Sequence, residues 1–296
     1  MRRTVVVIGA GTMGHGIAHA AMVGGYATRL YDVSNEALDH ARASIEDIVQ
    51  RGVELGKLEA SAAADLVGRL ATHSDLAMAV GDADVIIEAA PERIDLKVSL
   101  LAQIDRLAPP DAVIATNTSA LSITEMAAAV SNPRRMAGMH FFNPVHKMKL
   151  VEIVEALESA PETLDAIDDV ARRMGKETVR VRESPGFITS RINAMIGNEA
   201  FFMLQEGVAS ARDIDTALKL GLNHPMGPFE LVDLVGLDTR LSVLEFLHRS
   251  LGEKFRPCPL LVQHVHAGRL GRKVGRGVYD YELQSPAAAT RPPTER

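Results

Sequence analysis

The stretch Thr4-Val5-Val6-Val7-Ile8-Gly9-Ala10-Gly11-Thr12-Met13-Gly14 sets the architecture of the chain. A β-branched run is followed by a G-x-G-x-x-G turn and by a small-residue helical stretch through Ala21. Strand, glycine turn and helix in this order are typical of a dinucleotide site. The first glycine permits the tight turn, the second lets the backbone approach a pyrophosphate, and the third lets helix and strand pack closely. The cofactor-binding candidates are therefore Gly9, Ala10, Gly11, Thr12, Met13 and Gly14.

A carboxylate 18 positions after Gly14 supports this interpretation. The second β-like run, Ala27 to Tyr31, ends on Asp32. An acid at this place accepts hydrogen bonds from the adenosine ribose and repels a 2′-phosphate, so the sequence favours NAD over NADP. The alternative role of Asp32 is a helix cap, because a helical stretch begins soon after it.

Residues 35–69 have helical periodicity interrupted by glycines, and they predict a pair of helices projecting from the α/β unit. Arg51 and Lys57 lie near the turn of this pair. They could meet the anionic tail of a substrate, although ordinary solvated charges are the simpler interpretation.

Two further apolar runs, at 84–88 and 111–115, predict strands of a parallel sheet covered on both faces. Ligands of such sheets lie beyond the carboxyl ends of the strands. Glu88, Glu92 and the loop from Thr116 to Ser119 follow those ends, so we expect them near the nicotinamide. The alternatives are that Glu92 caps a helix, that Lys97 pairs with a carboxylate one turn away, and that Ser119 is an N-cap.

Strands predicted at 136–142 and 148–154 place His140 and Glu152 on either side of a turn that contains Pro144. The two side chains could then come side by side. Histidine titrates near neutral pH, and a carboxylate on its other ring nitrogen fixes the tautomer and favours the protonated form. The pattern suggests an acid/base pair, although a structural histidine at a strand end is the competing interpretation of His140 alone.

The α/β alternation ends after a helix at 161–175 and a strand at 177–181. Ser184-Pro185-Gly186 marks a boundary, and the remainder is helical until a proline- and alanine-rich tail. We predict an α/β fold in which an N-terminal Rossmann-type doubly wound sheet, residues 1–184, carries the projecting helical pair. An all-α C-terminal domain follows at 185–283, and a loose tail at 284–296.

Composition narrows the function classes. A net charge of −6 argues against nucleic acid as the main partner, and no apolar run reaches the roughly 18 residues that span a membrane. The single cysteine, Cys258, fits a reducing compartment, and we expect a cytoplasmic location. We expect no metal site, because no histidine pair has a Cys or acidic partner at ligand spacing.

Several segments together carry a family resemblance. They are Gly9-Ala10-Gly11-Thr12-Met13-Gly14, Thr116-Asn117-Thr118-Ser119, His140-Phe141-Phe142-Asn143-Pro144 with Lys149-Leu150-Val151-Glu152, Ser184-Pro185-Gly186-Phe187, His224-Pro225-Met226-Gly227-Pro228-Phe229-Glu230-Leu231, and Gly271-Arg272-Lys273-Val274-Gly275-Arg276-Gly277. In this order they resemble the L-3-hydroxyacyl-CoA dehydrogenases, most closely the short-chain 3-hydroxybutyryl-CoA dehydrogenases, over nearly the whole chain to Tyr281.

The resemblance implies reversible NAD-dependent oxidation of an (S)-3-hydroxyacyl-CoA to the 3-ketoacyl-CoA. It implies that His140 is the acid/base and that Glu152 orients it, with Ser119 and Asn143 near the reacting group. It also implies a homodimer formed through the helical domain. The residues that it assigns to the cofactor are Glu92, Lys97, Ser119 and Lys273.

One position departs from the family pattern. An asparagine is usual four residues after the glycine of Pro-Gly-Phe, and this chain has Ser190 there. Asn193, about one helical turn further, could compensate for the shorter reach of the serine. Both are substrate-binding candidates, together with Arg51, Lys57 and Ser119.

Two other functions remain open from the sequence. A related dehydrogenase could act on a free hydroxy or sugar acid, and it would need no CoA site near Arg51 and Lys57. A non-catalytic protein could bind NAD and lack turnover, although an intact His140 and Glu152 argue against it.

Overall fold

The structure, a computed structural model, describes residues 4–281. The chain divides into two compact units, Met1–Phe187 and Ile188–Arg296. The tail that the sequence predicts from residue 284 lies outside the described residues, as do the last two positions of the predicted helical domain.

The first unit is built on one eight-stranded sheet. Its strands are β1 Thr4–Ile8, β2 Ala27–Tyr31, β3 Leu70–His73, β4 Val85–Glu88, β5 Val113–Thr116, β6 Met136–Phe141, β7 Leu150–Glu155 and β8 Glu177–Arg182. Their order is β3-β2-β1-β4-β5-β6-β7-β8. The first six run parallel, β7 runs antiparallel to β6, and β8 is parallel to β7. The order reverses between β1 and β4, the arrangement that places a ligand crevice at the carboxyl ends of these strands. The prediction of a Rossmann-type sheet is confirmed.

Helices cover both faces of this sheet. They are α1 Thr12–Val23, α2 Asn35–Glu54, α3 Ala60–Val67, α4 Leu76–Val80, α5 Ile94–Leu107, α6 Ile123–Ala127 and α7 Pro161–Arg173. Strand β1 shows why the two faces are equally apolar. Val5 and Val7 enter the core that contains Ile17 of α1, whereas Val6 and Ile8 enter the core that contains Leu101 of α5. Because side chains alternate along a strand, a continuous apolar run supplies both cores.

The expected helical pair is α2 and α3. The apolar face of α2 is buried in the sheet's core at Leu38, Ala41, Ile45 and Val49. Serine 34 is the N-cap of α2, since its side chain accepts a hydrogen bond from the backbone of Ala37 at 3.2 Å. The turn between the two helices is exposed.

Two elements were not predicted from the sequence, strand β3 and helix α4. Strand β3 has only four residues, and it is an edge strand of partly exposed, mixed character. Its alternation is too short to stand out from the helical periodicity before it.

The second unit contains five α-helices in its described part. They are α8 Thr189–Gln205, α9 Ala211–Gly221, α10 Pro228–Val235, α11 Leu237–Leu251 and α12 Pro259–His266. Two buried carboxylates organise its C-terminal end. Asp233 accepts hydrogen bonds from two backbone amides and from the Tyr281 hydroxyl at 2.8 Å, and Asp215 accepts one from the Tyr279 hydroxyl at 2.7 Å. Within residues 4–281, no helix is long and apolar enough to cross a membrane.

Candidate active site

The glycine turn after β1 has the geometry that a dinucleotide requires. Gly9 has φ +104°, where a side chain would be strained, and a Cβ on Gly14 would lie 1.7 Å from the Gly9 carbonyl oxygen. A Cβ on Gly11 would meet no atom within 4 Å, so the backbone is open to a ligand there. Thr12 begins α1, and the first amides of the helix are available to an anion.

Asp32 lies at the carboxyl end of β2, beside this turn. Its Oδ2 accepts a hydrogen bond from the Ala10 amide at 2.8 Å, and its Oδ1 accepts one from the Ser34 amide at 3.0 Å. The carboxylate therefore ties the glycine turn to the second strand. Since Ser34 caps α2, the capping role considered for Asp32 belongs to its neighbour. The open glycine turn and the adjacent carboxylate fit the pyrophosphate and ribose of NAD.

A buried ion pair lies at the carboxyl ends of β4 and β5. Glu88 is 0% exposed and Lys97 is 1% exposed. The Lys97 ammonium donates to both Glu88 carboxylate oxygens, at 2.7 and 2.9 Å, and to the Ala90 carbonyl at 3.0 Å. The Thr116 hydroxyl also donates to Glu88, at 2.6 Å. These contacts join α5, β4 and β5, and they use the three hydrogens of the ammonium.

Glu92 binds the loop after β5. Its Oε1 accepts hydrogen bonds from the Thr118 hydroxyl at 2.7 Å, the Ser119 amide at 2.9 Å and the Ser119 hydroxyl at 3.1 Å. Its Oε2 lies 3.6 Å from the Lys97 ammonium. Ser119 is not an N-cap, because Ser122 caps α6. The hydrogen bonds and ion pairs thus connect four residues that the sequence predicts on the cofactor side, with Glu88 at the buried end of the network. They are Glu88, Lys97, Glu92 and Ser119.

His140 and Glu152 face each other across β6 and β7. They are directly paired in the antiparallel register, and His140 Nδ1 lies 2.6 Å from Glu152 Oε2. Both side chains are buried. The rings of Phe142 and Phe187 lie 4.5 and 5.7 Å from the imidazole, centroid to centroid. An Nδ1–H that donates to the carboxylate fixes the tautomer and orientation of the ring, which leaves Nε2 for proton exchange.

One residue of the predicted loop, to which the sequence assigns no role of its own, also supports this strand end. The Asn117 side-chain oxygen accepts a hydrogen bond from the Phe141 amide at 2.9 Å, next to His140. The polar loop after β5 was recognised in the sequence, but the target of this particular side chain depends on the β5–β6 pairing. Asn143 is exposed in the turn between β6 and β7, and the Asn143–Pro144 peptide is cis.

The remaining candidates lie elsewhere in each unit. Arg51 forms an exposed ion pair with Asp47 at 2.9 Å, and Lys57 is exposed in the turn after α2. In the helical unit, the Lys273 ammonium lies 2.6 Å from both Asp238 carboxylate oxygens. Ser190 and Asn193 are half-buried in the first turns of α8.

Comparison with known proteins covers both units. Residues 4–184 match the model of the 3-hydroxyacyl-CoA dehydrogenase NAD binding domain, and residues 186–281 match that of the 3-hydroxyacyl-CoA dehydrogenase C-terminal domain. A probable 3-hydroxybutyryl-CoA dehydrogenase of Bacillus subtilis (strain 168) is 44% identical, over 95% of this chain and 98% of that protein.

Two further proteins are similarly close. The 3-hydroxyadipyl-CoA dehydrogenase of Escherichia coli (strain K12) is 42% identical, over 96% of this chain and 60% of that protein. The crystal structure of (S)-3-hydroxybutyryl-CoA dehydrogenase from Ralstonia eutropha superposes with a TM-score of 0.93. It is 42% identical and covers 95% of this chain and 100% of that chain.

Proposed function

The chain belongs to the 3-hydroxyacyl-CoA dehydrogenase family, whose members use NAD, and from this premise we propose that it interconverts (S)-3-hydroxybutyryl-CoA and acetoacetyl-CoA. Relatives named for 3-hydroxybutyryl-CoA match nearly the whole chain, which supports the acyl group. The buried His140–Glu152 pair carries the proposed chemistry.

In the oxidation direction, His140 Nε2 takes the hydroxyl proton of the substrate as the C–H electron pair leaves the same carbon. NAD, when bound, supplies the acceptor for that hydride. Glu152 accepts the Nδ1 hydrogen bond and stabilises the imidazolium that forms, so the proton has a defined destination. In reduction the same imidazolium returns the proton to the carbonyl oxygen. The flanking Phe142 and Phe187 rings limit water around the imidazole.

The same proposal assigns the cofactor side. The glycine turn holds the pyrophosphate, Asp32 accepts from the adenosine ribose, and the loop of Ser119, held by Glu92, lies against the nicotinamide half. Lys97 supports this loop through Glu88 and Glu92. We assign the substrate contacts to Ser119, Asn143, Ser190 and Asn193.

We further propose a homodimer that forms through the helical domain, residues 185–283, while residues 1–184 bind NAD. Ile188, Ile192 and Met195 are exposed at helical spacing, and they form an apolar stripe at the start of α8. Sedimentation of the purified protein as a monomer would contradict this part of the proposal. A cytoplasmic location is also proposed, supported by the single buried thiol of Cys258.

The test of the reaction is loss of NADH absorbance with acetoacetyl-CoA. His140→Gln should lower kcat by about 10²- to 10⁴-fold, the range for one acid/base side chain, with NADH affinity unchanged. His73→Gln is the matched control, because His73 lies on edge strand β3, separated from β6 by four strands. Turnover that survives in His140→Gln would refute the assignment. Wild-type activity on free hydroxy acids alone, or NADH binding without any turnover, would instead favour the two alternatives.

A further inference from the structure

Phe187, the last residue of the first unit, has a backbone conformation that its residue type normally avoids. Its φ is +48°, in the left-handed region that favours glycine. Among residues 4–281, Asn223 is the other non-glycine residue with a positive φ, at +56°, and asparagine tolerates this region because its side chain can hydrogen-bond locally. Phenylalanine has no such compensation. Strained residues of this kind persist where the surrounding structure holds them, and they cluster at functional sites.

The segment before Phe187 is fixed to the sheet unit by hydrogen bonds. The Glu183 carboxylate accepts from the Ser122 hydroxyl at 2.7 Å, from the Thr124 amide at 2.9 Å and from the Thr124 hydroxyl. The Phe187 amide then donates to the Ser184 carbonyl at 2.9 Å, which closes a β-turn. These contacts determine where the Phe187 ring enters the core of the unit.

The ring of Phe187 lies against the imidazole of His140. The Phe187 side chain is 4% exposed, and the two ring centroids are 5.7 Å apart. The other ring beside the imidazole, that of Phe142, belongs to the same short segment as His140, so it does not fix the imidazole relative to the rest of the fold. Phe187 supplies the ring contact that comes from a distant part of the chain.

Filling the core does not by itself account for Phe187. The apolar cluster around it contains aliphatic side chains such as Ile123 and Val154, so an aliphatic residue would also fit its chemistry. Glycine would relax the backbone. What phenylalanine adds at this strained position is a flat ring against the imidazole.

We propose that Phe187 is a positioning residue for His140, and that its ring, placed by the strained backbone, restricts rotation of the imidazole about the Cβ–Cγ bond. This inference rests on the proposed function, because it assigns Phe187 a part in the proton step. With His140 Nδ1 kept at 2.6 Å from Glu152 Oε2, the Nε2 atom keeps one direction. A base held in one orientation reacts without a search among ring orientations at each turnover.

The kinetic test measures kcat, the KM for acetoacetyl-CoA and the Kd for NADH at a temperature below the lowest Tm. Phe187→Leu keeps an apolar side chain and removes the ring. It should lower kcat by about 10- to 100-fold, the cost of a displacement of roughly 1 Å in a reacting group, and change KM and Kd by less than about 3-fold. Phe201→Leu in the helical unit is the matched control. Phe201 is 0% exposed and its ring also lies 5.7 Å from a histidine, His264, so the control loses a comparable contact and should keep kcat.

A second pair of variants separates the ring from the backbone. Phe187→Ala and Phe187→Gly both lack the ring, so both should lose at least as much kcat as Phe187→Leu does. Because glycine relaxes the positive φ, Phe187→Gly should have a Tm at least as high as that of Phe187→Ala, the reverse of the usual order for these two residues.

The 15N NMR signals of labelled histidines give a measurement that does not depend on turnover. The His140 signals are identified by their loss in His140→Gln, and in wild type they should report a single tautomer. Phe187→Leu should broaden or average these signals, because the imidazole then samples more than one orientation. Phe201→Leu should leave them unchanged.

The inference is overturned if Phe187→Leu keeps kcat within about 3-fold of wild type, lowers kcat no more than Phe201→Leu does, or leaves the His140 signals unchanged. It is also overturned if Phe187→Gly is less stable than Phe187→Ala, because the backbone is then not strained. Absence of NADH loss with the wild-type protein would instead defeat the proposed function, and the 15N comparison would still decide whether Phe187 orients the imidazole.

Discussion

Removal of only one charge of the Glu88–Lys97 pair should lower the stability of the fold. Both side chains are fully buried, with a shortest N–O distance of 2.7 Å. Glu88→Gln would leave the Lys97 ammonium charged and without its principal acceptor. Removal of one partner from a buried pair costs about 3–5 kcal/mol, which corresponds to a fall in Tm on the order of 10 °C for a unit of this size.

The same substitution should also disturb the cofactor side. Glu92 becomes the nearest carboxylate to Lys97, since its Oε2 is already only 3.6 Å away. Movement of Glu92 toward the ammonium would weaken its hydrogen bonds to Ser119. A displacement of about 1 Å in a positioning contact can cost on the order of 10²-fold in rate, so we expect kcat/KM for NADH to fall 10- to 100-fold.

A double variant tests whether charge balance is the cause. Glu88→Gln combined with Lys97→Met removes both charges, and it should recover most of the lost Tm and kcat/KM. Thermal unfolding and NADH-dependent kinetics below the lowest Tm measure both quantities. Asp105→Asn is the control, because the Arg135–Asp105 pair is also largely buried, at 2.6 Å. It should lower Tm without changing kcat/KM.

Two outcomes would refute this reasoning. If Glu88→Gln leaves Tm and kcat/KM unchanged, the Glu88–Lys97 pair neither stabilises the fold nor positions the cofactor-side loop. If Lys97→Met and the double variant lose NADH affinity to the same extent, Lys97 binds the cofactor directly and Glu88 does not act through it.

Two further predictions concern the glycine turn and the helical unit. Gly11→Ala should leave Tm unchanged, because its Cβ would meet no atom within 4 Å. The same substitution should raise the Kd for NADH at least about 10-fold, because the Cβ obstructs the pyrophosphate. Gly14→Ala should instead destabilise the fold, because its Cβ would clash with the Gly9 carbonyl oxygen. Thermal unfolding and NADH titration distinguish the two, and unchanged NADH affinity in Gly11→Ala would contradict the assignment. Burial, reinforced by hydrogen bonds to Asp215 and Asp233, raises the pKa of Tyr279 and of Tyr281 above the usual value. Above pH ~10 the tyrosines of the unfolded chain lose their protons, while those of the folded chain keep them. The stabilisation that these two tyrosines contribute should therefore be complete below that pH and decrease as the pH rises above it. Thermal unfolding between about pH 9 and 11 measures this, and Tyr279→Phe should reduce the slope.

Residues whose role depends on neighbouring strands could be predicted from the sequence. Asp32 follows its strand directly, and the turn between β6 and β7 is short enough for the alternation to bring His140 beside Glu152. The partner of Lys97 could not be predicted in this way, because Glu88 lies nine positions earlier on β4 and only the packing of α5 brings the two side chains together. The sequence alone suggests a carboxylate one turn away as the partner of Lys97.

The burial of Arg240 in α11, where its side chain is 4% exposed, could not be predicted from the sequence. An arginine within an amphipathic helix is normally read as part of the solvent-exposed face, and α11 alternates apolar and charged residues as a surface helix does. Its burial is a tertiary property that follows from the packing of α11 against the glycine face of α8. A Cβ on Gly197 would lie 3.7 Å from the Arg240 Nε, an ordinary van der Waals distance, so the two helices pack closely at this glycine.

Most buried ionisable side chains of residues 4–281 are held by hydrogen bonds. Glu88 pairs with Lys97, Arg135 with Asp105, and His140 with Glu152, while Asp215 and Asp233 accept from tyrosine hydroxyls and backbone amides. The buried side-chain nitrogens without a partner among these residues are His19 Nδ1, Arg135 Nε and Arg240 Nε. Because a buried charge is stable when it is paired, removal of one partner, as in Glu88→Gln, should destabilise the fold more than removal of both charges.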